Sequence, residues 1–264
     1  MYLTKIIDYK KQELEHVKRR VSLKDLRLKA EASEPARSFL EMLKSPHPPF
    51  VKGGISIIAE IKKASPSAGI IRPDFDPVHI AQVYEQNGAA ALSILTDEHF
   101  FQGKLEFLDL IKKHVALPLL RKDFTLDAYH VFEARGAGAD AVLLIVRVLE
   151  DAQLKDYSDL AHELGMAVLI EVHDEKEMER VKKNSPQLVG INNRNLDTFK
   201  VDLETTVQLS KKAPENTLLV SESGISTPEH VKKMRDVGVH AFLVGESLLR
   251  EKDLGKKLRE LLNH

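Results

Sequence analysis

Five polar side chains close stretches of sequence that are otherwise apolar, and their types suit proton transfer. Glu60 and Lys62 end ISIIAEIK, Lys122 ends PLLRK, Glu171 ends AVLIE and Asn192 ends LVGIN. Glu and Lys are seldom buried without a partner. One account of the set is an internal ion-pair network that does no more than satisfy its own charges. Buried pairs are weak evidence for stability, because desolvation offsets their attraction. The other account is an acid/base site. Two carboxylates and two ammoniums meeting in one cavity push one another's pKa values apart, as general acids and bases require. Repetition of the pattern over five strand ends favours the site.

Such residues meet only if the stretches that carry them are parallel strands. Side chains alternate along a strand. In the first stretch Ser56, Ile58, Glu60 and Lys62 therefore share one face, and Ile57, Ala59 and Ile61 the other. The sequence predicts eight strands, over 56–62, 90–96, 118–124, 140–146, 167–172, 188–192, 217–223 and 241–245. Several, such as AVLLIV and AVLI, are continuous apolar runs, the mark of strands covered on both faces. Helical spacing fills the intervals 77–87, 126–134, 151–164 and 174–183, with Gly88, Gly136 and Gly165 at helix ends. Thr227 followed by Pro228 reads as a helix start, and that helix ends near Gly238. The order helix, Gly, short residue, strand recurs in NGAAALSIL, AGADAVLLI and VGVHAFLVG, which indicates a repeated βα unit. Eight such units predict an α/β fold, a (β/α)8 TIM barrel with an N-terminal helical extension. No GxGxxG follows the first strand, which argues against a dinucleotide-binding open sheet.

The chain of 264 residues matches one such barrel, about 250 residues in size. It reads as one domain over 1–264, with the extension in 1–50 and the barrel in 51–264. A 43% hydrophobic content supplies a core, and a net charge of -1 gives no general attraction to nucleic acid or an anionic membrane. No apolar run approaches the roughly 20 residues of a membrane span. The charged first residues lack the apolar core of a signal peptide, so a cytoplasmic protein is expected, monomeric or weakly homo-oligomeric. The absence of cysteine excludes disulfides, thiolate metal sites and Cys nucleophiles. High charge without cysteine is compatible with a thermophilic and a mesophilic source alike. Amphipathic stretches at 2–21 and 35–43 stand outside the repeat. They suit helices that cap the bottom or side of the barrel, or a helix lying over its mouth.

In this fold chemistry belongs to the C-terminal strand ends and the loops after them. The long loop 63–76, with Gly69 and Pro73, fits a mobile lid over an anion or an ordinary surface loop. Strand seven ends in Ser221–Glu222–Ser223–Gly224–Ile225 and strand eight in Val244–Gly245–Glu246–Ser247, which leads into a helix. Small residues and a helix start at these two places make the usual phosphate site of such barrels. Glu246 is expected to turn its carboxylate away and offer only backbone. The histidines, among them His130, His173 and His230, share no strand-end placement, and no metal cluster is evident. Ser223 lacks the surroundings of a hydrolase nucleophile.

Beyond this pattern, IIAEIKKASPSAGII at 57–71 resembles the signature segment of indole-3-glycerol phosphate synthases. The likeness continues in LLRKDF, LIEVH, GINNRNL, SESGI and FLVGESL, across nearly the whole repeat region, and in the N-terminal extension. Position 246 is one where a small hydroxyl residue also occurs in the family. The resemblance implies conversion of 1-(2-carboxyphenylamino)-1-deoxyribulose 5-phosphate to indole-3-glycerol phosphate, with loss of CO2 and water, in tryptophan biosynthesis. It implies a carbon–carbon lyase that uses no metal or organic cofactor and takes one phosphorylated small molecule. Lys122 is then the general acid and Glu171 the general base, with Glu60 as a second carboxylate. Lys62 holds the substrate carboxylate and shares in proton transfer. Asn192 binds sugar hydroxyls or orients Glu171, and Arg194 supports it. Phe124 and Leu143 wall the aromatic ring, while Ser65, Glu222, Ser223, Gly224, Gly245 and Glu246 lie about the phosphate. The residues alone also admit another sugar-phosphate barrel enzyme, an isomerase or a Schiff-base aldolase, or a non-catalytic phosphate-binding barrel.

Overall fold

The computed structural model describes residues 2–44 and 54–262. The expected boundary between extension and barrel, at 50/51, lies outside the described residues. Eight parallel strands close on themselves. They are β1 (Ser56–Ile61), β2 (Ala91–Leu95), β3 (Leu119–Lys122), β4 (Ala141–Ile145), β5 (Ala167–Val172), β6 (Leu188–Asn192), β7 (Leu218–Glu222) and β8 (Ala241–Val244). β1 hydrogen-bonds to both β2 and β8, so the barrel has no open edge. Only β5 and β6 run to the bounds read from sequence. The others are one or two residues shorter at an end, because the terminal residues take other partners. Asp140 precedes β4 and accepts from the backbone N–H of Leu119 and of Arg37. Gly245 follows β8 and starts the helix Glu246–Leu249. Within the lid loop a two-stranded ribbon, Ala64–Ser65 against Gly69–Ile70, forms where only loop was expected.

Alternation along the strands sorts the core into two shells, as expected for β1. Ile57, Ala59 and Ile61 pack outward with the helices. Ile58 joins Leu120, Leu143, Leu169, Val220 and Leu243 in the barrel interior. The interior is therefore mainly apolar toward its floor, where Ser56 is a hydrogen-bonded exception, and charged in its last layer.

Three helices precede the barrel: α1 (Tyr2–Arg20), α2 (Leu23–Glu31) and α3 (Phe39–Lys44). α2 was not foreseen; Ser22 caps it by accepting from the Asp25 N–H, which fits the Ser N-cap preference. The two readings of the extension prove to describe different helices. α3 plugs the floor, where Phe39 and Leu43 are buried against the interior cluster and the Ser56 hydroxyl donates to the Leu43 carbonyl. Each such side chain contributes roughly 1.5–3 kcal/mol by leaving water. α1 runs to the opposite end, where Leu3 and Ile6 line the cavity at the mouth.

A buried charge cluster fixes α1 there. Lys10 is 3% exposed. Its ammonium lies 3.0 Å from Asp123, 3.6 Å from Asp97 and 2.5 Å from Glu13. Burial works against the Lys10 charge, but the three carboxylates outweigh it and hold the pKa above the usual lysine range. Asp97 also caps the helix Glu98–Phe101, and Asp123 accepts from the Thr96 hydroxyl at 2.6 Å. Lys10→Ala leaves two buried carboxylates short of their cation. It should destabilise the fold by about 3–5 kcal/mol, read as a lower urea midpoint at unchanged slope. A loss below about 1 kcal/mol would show that water replaces the ammonium.

Candidate active site

All five polar strand ends line one cavity of about 410 Å³ at the C-terminal mouth of the barrel. That volume lies within the ordinary range of ligand pockets. Lys122 lines the cavity between two of the carboxylates. The ammonium donates to Glu171 Oε2 at 3.0 Å and lies 3.5 Å from Glu222 Oε2. Lys62 pairs with Glu60 on the same strand face. Asn192 closes β6, and its Oδ1 accepts from the Arg194 backbone N–H at 3.0 Å; no bond from Asn192 to Glu171 is present.

The electrostatics separate Glu171 from Glu222. Burial pushes the Glu171 carboxyl up, but Lys122 and His173 together outweigh it, so Glu171 sits below the usual range as an anion. Glu222 goes the other way. Burial first, then the neighbouring negative charge of Glu171, lift it to about 8 against the pull of Lys122. It is a neutral acid at physiological pH. Lys122 is held above the normal lysine range: burial lowers it, while Glu171, Glu222 and Glu60 more than compensate.

Glu222 was placed with the phosphate loops from its position in SESGI. The structure sets its side chain deep among Lys122 and Glu171 instead, 1% exposed. The reason is strand parity: Glu222 shares the inward face of β7 with Val220, one residue before the loop begins. Its Oε1 is buried without a hydrogen-bond partner among the described residues. That oxygen lies over Gly190, where an added Cβ would come within 2.0 Å of it. The glycine of GINNRN is therefore what admits the third carboxylate.

The phosphate candidates lie at the other side of the mouth. Ser223 and Gly224 both have positive φ, 65° and 85°. The Asn193 amide donates to the Ser221 hydroxyl and the Ser223 carbonyl, both at 3.0 Å, and so pins this turn. Gly245 gives room to Glu60, since a Cβ there would meet Glu60 Oε1 at 2.3 Å. The Glu246 carboxylate accepts from the Arg250 guanidinium at 2.8 Å and lies 3.6 Å from Arg194. It is thus turned onto the two arginines at this end. Ser65 sits in the ribbon of the loop 63–76, and Phe124 and Leu143 add apolar wall to the same cavity. Arg72 ties the lid's base to the carbonyls of Leu249 and Glu251.

Residues that sequence reasoning passed over also reach the site. Leu3 and Ile6 arrive from α1, Phe101 from the end of the helix Glu98–Phe101 and Phe199 from a loop. Tyr2 packs edge-on against Phe199, with ring centroids 4.9 Å apart, and joins the extension to the loop after β6. No local signal in the sequence announces these long-range meetings. His173 did carry one, standing two residues after Glu171 just past a strand end. Among the described residues no group of three or more His, Asp or Glu is placed to hold a metal ion.

Comparisons with known proteins bear on the family and the fold. Residues 3–261 match the family model described as indole-3-glycerol phosphate synthase. The chain is 51% identical over 259 residues to an indole-3-glycerol phosphate synthase of Polaromonas naphthalenivorans, covering 98% of this chain and 97% of that one. It is also 51% identical over 250 residues to the enzyme of that name from Acinetobacter baumannii, with 94% and 91% covered. Among solved structures, an N-acetylmannosamine-6-phosphate 2-epimerase from Clostridium perfringens shares the fold at TM-score 0.62 and 18% identity, covering 88% of this chain and 99% of that one. A tryptophan synthase alpha-subunit from Pyrococcus furiosus does so at TM-score 0.59 and 15% identity, with 79% and 98% covered.

The Gly190 contact is open to direct test. Gly190→Ala should displace the Glu222 carboxylate and lower turnover by about 10- to 100-fold, the scale of an ångström's misplacement at a reacting centre, with the protein still folded. Unchanged turnover would mean that Glu222 can move without cost.

Proposed function

We infer the roles of the site residues from one premise: this chain belongs to the indole-3-glycerol phosphate synthase family. The reaction is the ring closure, decarboxylation and dehydration of 1-(2-carboxyphenylamino)-1-deoxyribulose 5-phosphate in tryptophan biosynthesis. The ring carbon that carries the carboxylate must attack the sugar carbonyl carbon. The carbonyl oxygen must gain a proton as its π bond breaks. CO2 then leaves, its bonding pair returning to the ring; the new hydroxyl takes up a second proton and departs as water, while a base removes a proton from the adjacent nitrogen-bearing carbon as the new double bond forms.

Lys122 is the general acid. The observation that carries this is its ammonium in the cavity wall between two carboxylates, 3.0 Å from Glu171 and 3.5 Å from Glu222. A protonated amine at that point meets an oxygen becoming an alkoxide, which is the stronger base. Glu171, kept ionised, is the base that removes a proton in the dehydration, and Glu60 is the second carboxylate. Neutral Glu222 limits the negative charge left around Lys122 once its proton has gone. Lys62 holds the departing carboxylate, and Asn192 and Arg194 meet the sugar hydroxyls. Phe124 and Leu143 receive the aromatic ring. Ser65, Ser223, Gly224 and Gly245 surround the phosphate, with Glu246 yielding Arg250 and Arg194 to it.

A Schiff-base aldolase finds no support in this geometry, since it needs a neutral amine and Lys122 is held charged. The extension and the barrel act as one domain over 1–264, which the α1 charge cluster and the α3 plug support. A cytoplasmic monomer or weak homo-oligomer without nucleic-acid partners completes the reading, in keeping with a net charge of -1. No described helix is long and apolar enough to cross a membrane.

The chain lacks tryptophan, so indole fluorescence reports product against a dark background. Lys122→Ala should lower turnover by at least ~100-fold; retained activity would remove Lys122 from the role. Glu171→Gln should lower kcat far more than it raises KM, and a pure KM effect would refute the base assignment. Borohydride added with substrate should trap no lysine adduct.

A further inference from the structure

Behind Glu171, on the side away from Lys122, lies a second charged array that the reaction steps above do not use. His173 has a side chain only 3% exposed. Its two ring nitrogens each face a carboxylate. Nδ1 is 3.1 Å from Glu177 Oε2. Nε2 is 3.1 Å from Glu171 Oε1, near enough for a charge contact though not aligned as a hydrogen bond. Glu177 is itself buried and fully occupied. Its Oε2 also accepts from the His173 backbone N–H at 2.7 Å, and its Oε1 accepts from Arg147 Nε at 2.6 Å. Arg147 reaches on to Asp174, the residue that caps the helix Glu175–Lys182. A line of alternating charge thus runs Lys122, Glu171, His173, Glu177, Arg147, from the cavity to the surface.

We propose that His173, clamped by Glu177, is a positioning residue of the reaction, a buried imidazolium that orients Glu171 and keeps it ionised. The proposal rests on Glu171 as the base and deepens that assignment. Its first ground is geometric. A neutral imidazole has one N–H and one lone pair, so in this position it would point a lone pair at a carboxylate oxygen. Only the doubly protonated ring suits both neighbours. Its second ground is the charge balance of Glu171 during turnover. Lys122 occupies Oε2, and that cation is neutralised when the acid gives up its proton. A fixed positive charge on Oε1 then keeps the anion from drawing a proton too early. The charged groups facing His173 are Glu171 on its own strand and Glu177 on the following helix. Behind Glu177 stands Arg147, from the turn after β4. Burial would lower the His173 pKa, but the Glu177 hydrogen bond and the charges of Glu171 and Glu177 hold it up at about 9. Folded-state charge on the ring is therefore complete at neutral pH and lost only as pH rises through that value.

The test uses full-length enzyme, ¹⁵N-labelled at histidine, and two variants, His173→Gln and Glu177→Gln. The signal absent from His173→Gln identifies the ring. In the parent it should show two protonated nitrogens at neutral pH, and Glu177→Gln should move its titration down by about one pH unit or more. His173→Gln should shift the acid limb of the kcat/KM profile upward, because Glu171 loses its countercharge, with kcat about 10-fold lower at neutral pH; in Glu177→Gln the ring stays protonated across that limb, which should not move. Glu177→Gln keeps the imidazole in place, so the question stays answerable if His173→Gln folds poorly. A singly protonated ring at neutral pH would overturn the proposal. So would a folded His173→Gln whose kcat/KM falls equally at every pH, the sign of a purely structural role. Should Glu171→Gln keep full turnover while the ring is doubly protonated, the base assignment falls and the ion pair stands.

Discussion

The site depends on keeping an unequal set of charges inside a barrel whose floor is apolar. Two ammoniums, Lys62 and Lys122, face three carboxylates, Glu60, Glu171 and Glu222, all lining one cavity. Fully ionised, the set would carry a surplus negative charge in a place where water is scarce, and the cost of an unpaired buried charge is high. One proton resolves the surplus, and burial together with Glu171 directs it to Glu222, which rises to about 8. Glu171, with Lys122 on one oxygen and His173 near the other, remains the anion. The division of labour between an acid-like and a base-like carboxyl follows from this placement and needs no difference in residue type.

The same constraint explains the glycines. Three long side chains can enter the mouth only where neighbouring strands give up their own. Gly190 yields to Glu222 on β6, and Gly245 yields to Glu60 after β8. Alanine at either position would place a methyl group within the van der Waals reach of a carboxylate oxygen. These two glycines are thus determined by side chains on adjacent strands, and neither needs a positive φ.

How much of this the sequence disclosed follows from the range of the interactions. Alternation within a strand is local, so Glu60, Lys62, Lys122, Glu171 and Asn192 could be assigned to the inward face from their own strands. Long apolar runs separated by helix signals disclosed eight strands, and the register then brings their ends to one level. Glu222 obeyed the same parity, yet its neighbours in SESGI drew it toward the phosphate loop. The ends of strands were overdrawn because residues such as Asp140 look strand-like in a run and are taken by backbone N–H groups of other elements. α2 escaped because its apolar positions, Leu26 and Ala30, are few; it is held by packing on the helix Ala128–Gly136. His173 was set aside because its meaning lies in Glu177, one helical turn later, and in a strand end it touches only once folded.

The extension illustrates the longest of these ranges. Lys122 and Asp123 are consecutive, so alternation sends one side chain into the barrel and the other out of it. The inward one meets Glu171, and the outward one meets Lys10 of α1 at 3.0 Å. Any shift of β3 along its axis would disturb both pairs together. Asp97, at the end of the neighbouring β2, is held by the same ammonium at 3.6 Å. Two adjacent strand ends are therefore fixed from outside by one residue near the start of the chain, while Leu3 and Ile6 of that helix close the cavity from above. A helix that reads in the sequence as a cap on the barrel or a cover over its mouth is, in the fold, part of the frame that sets where Lys122 stands.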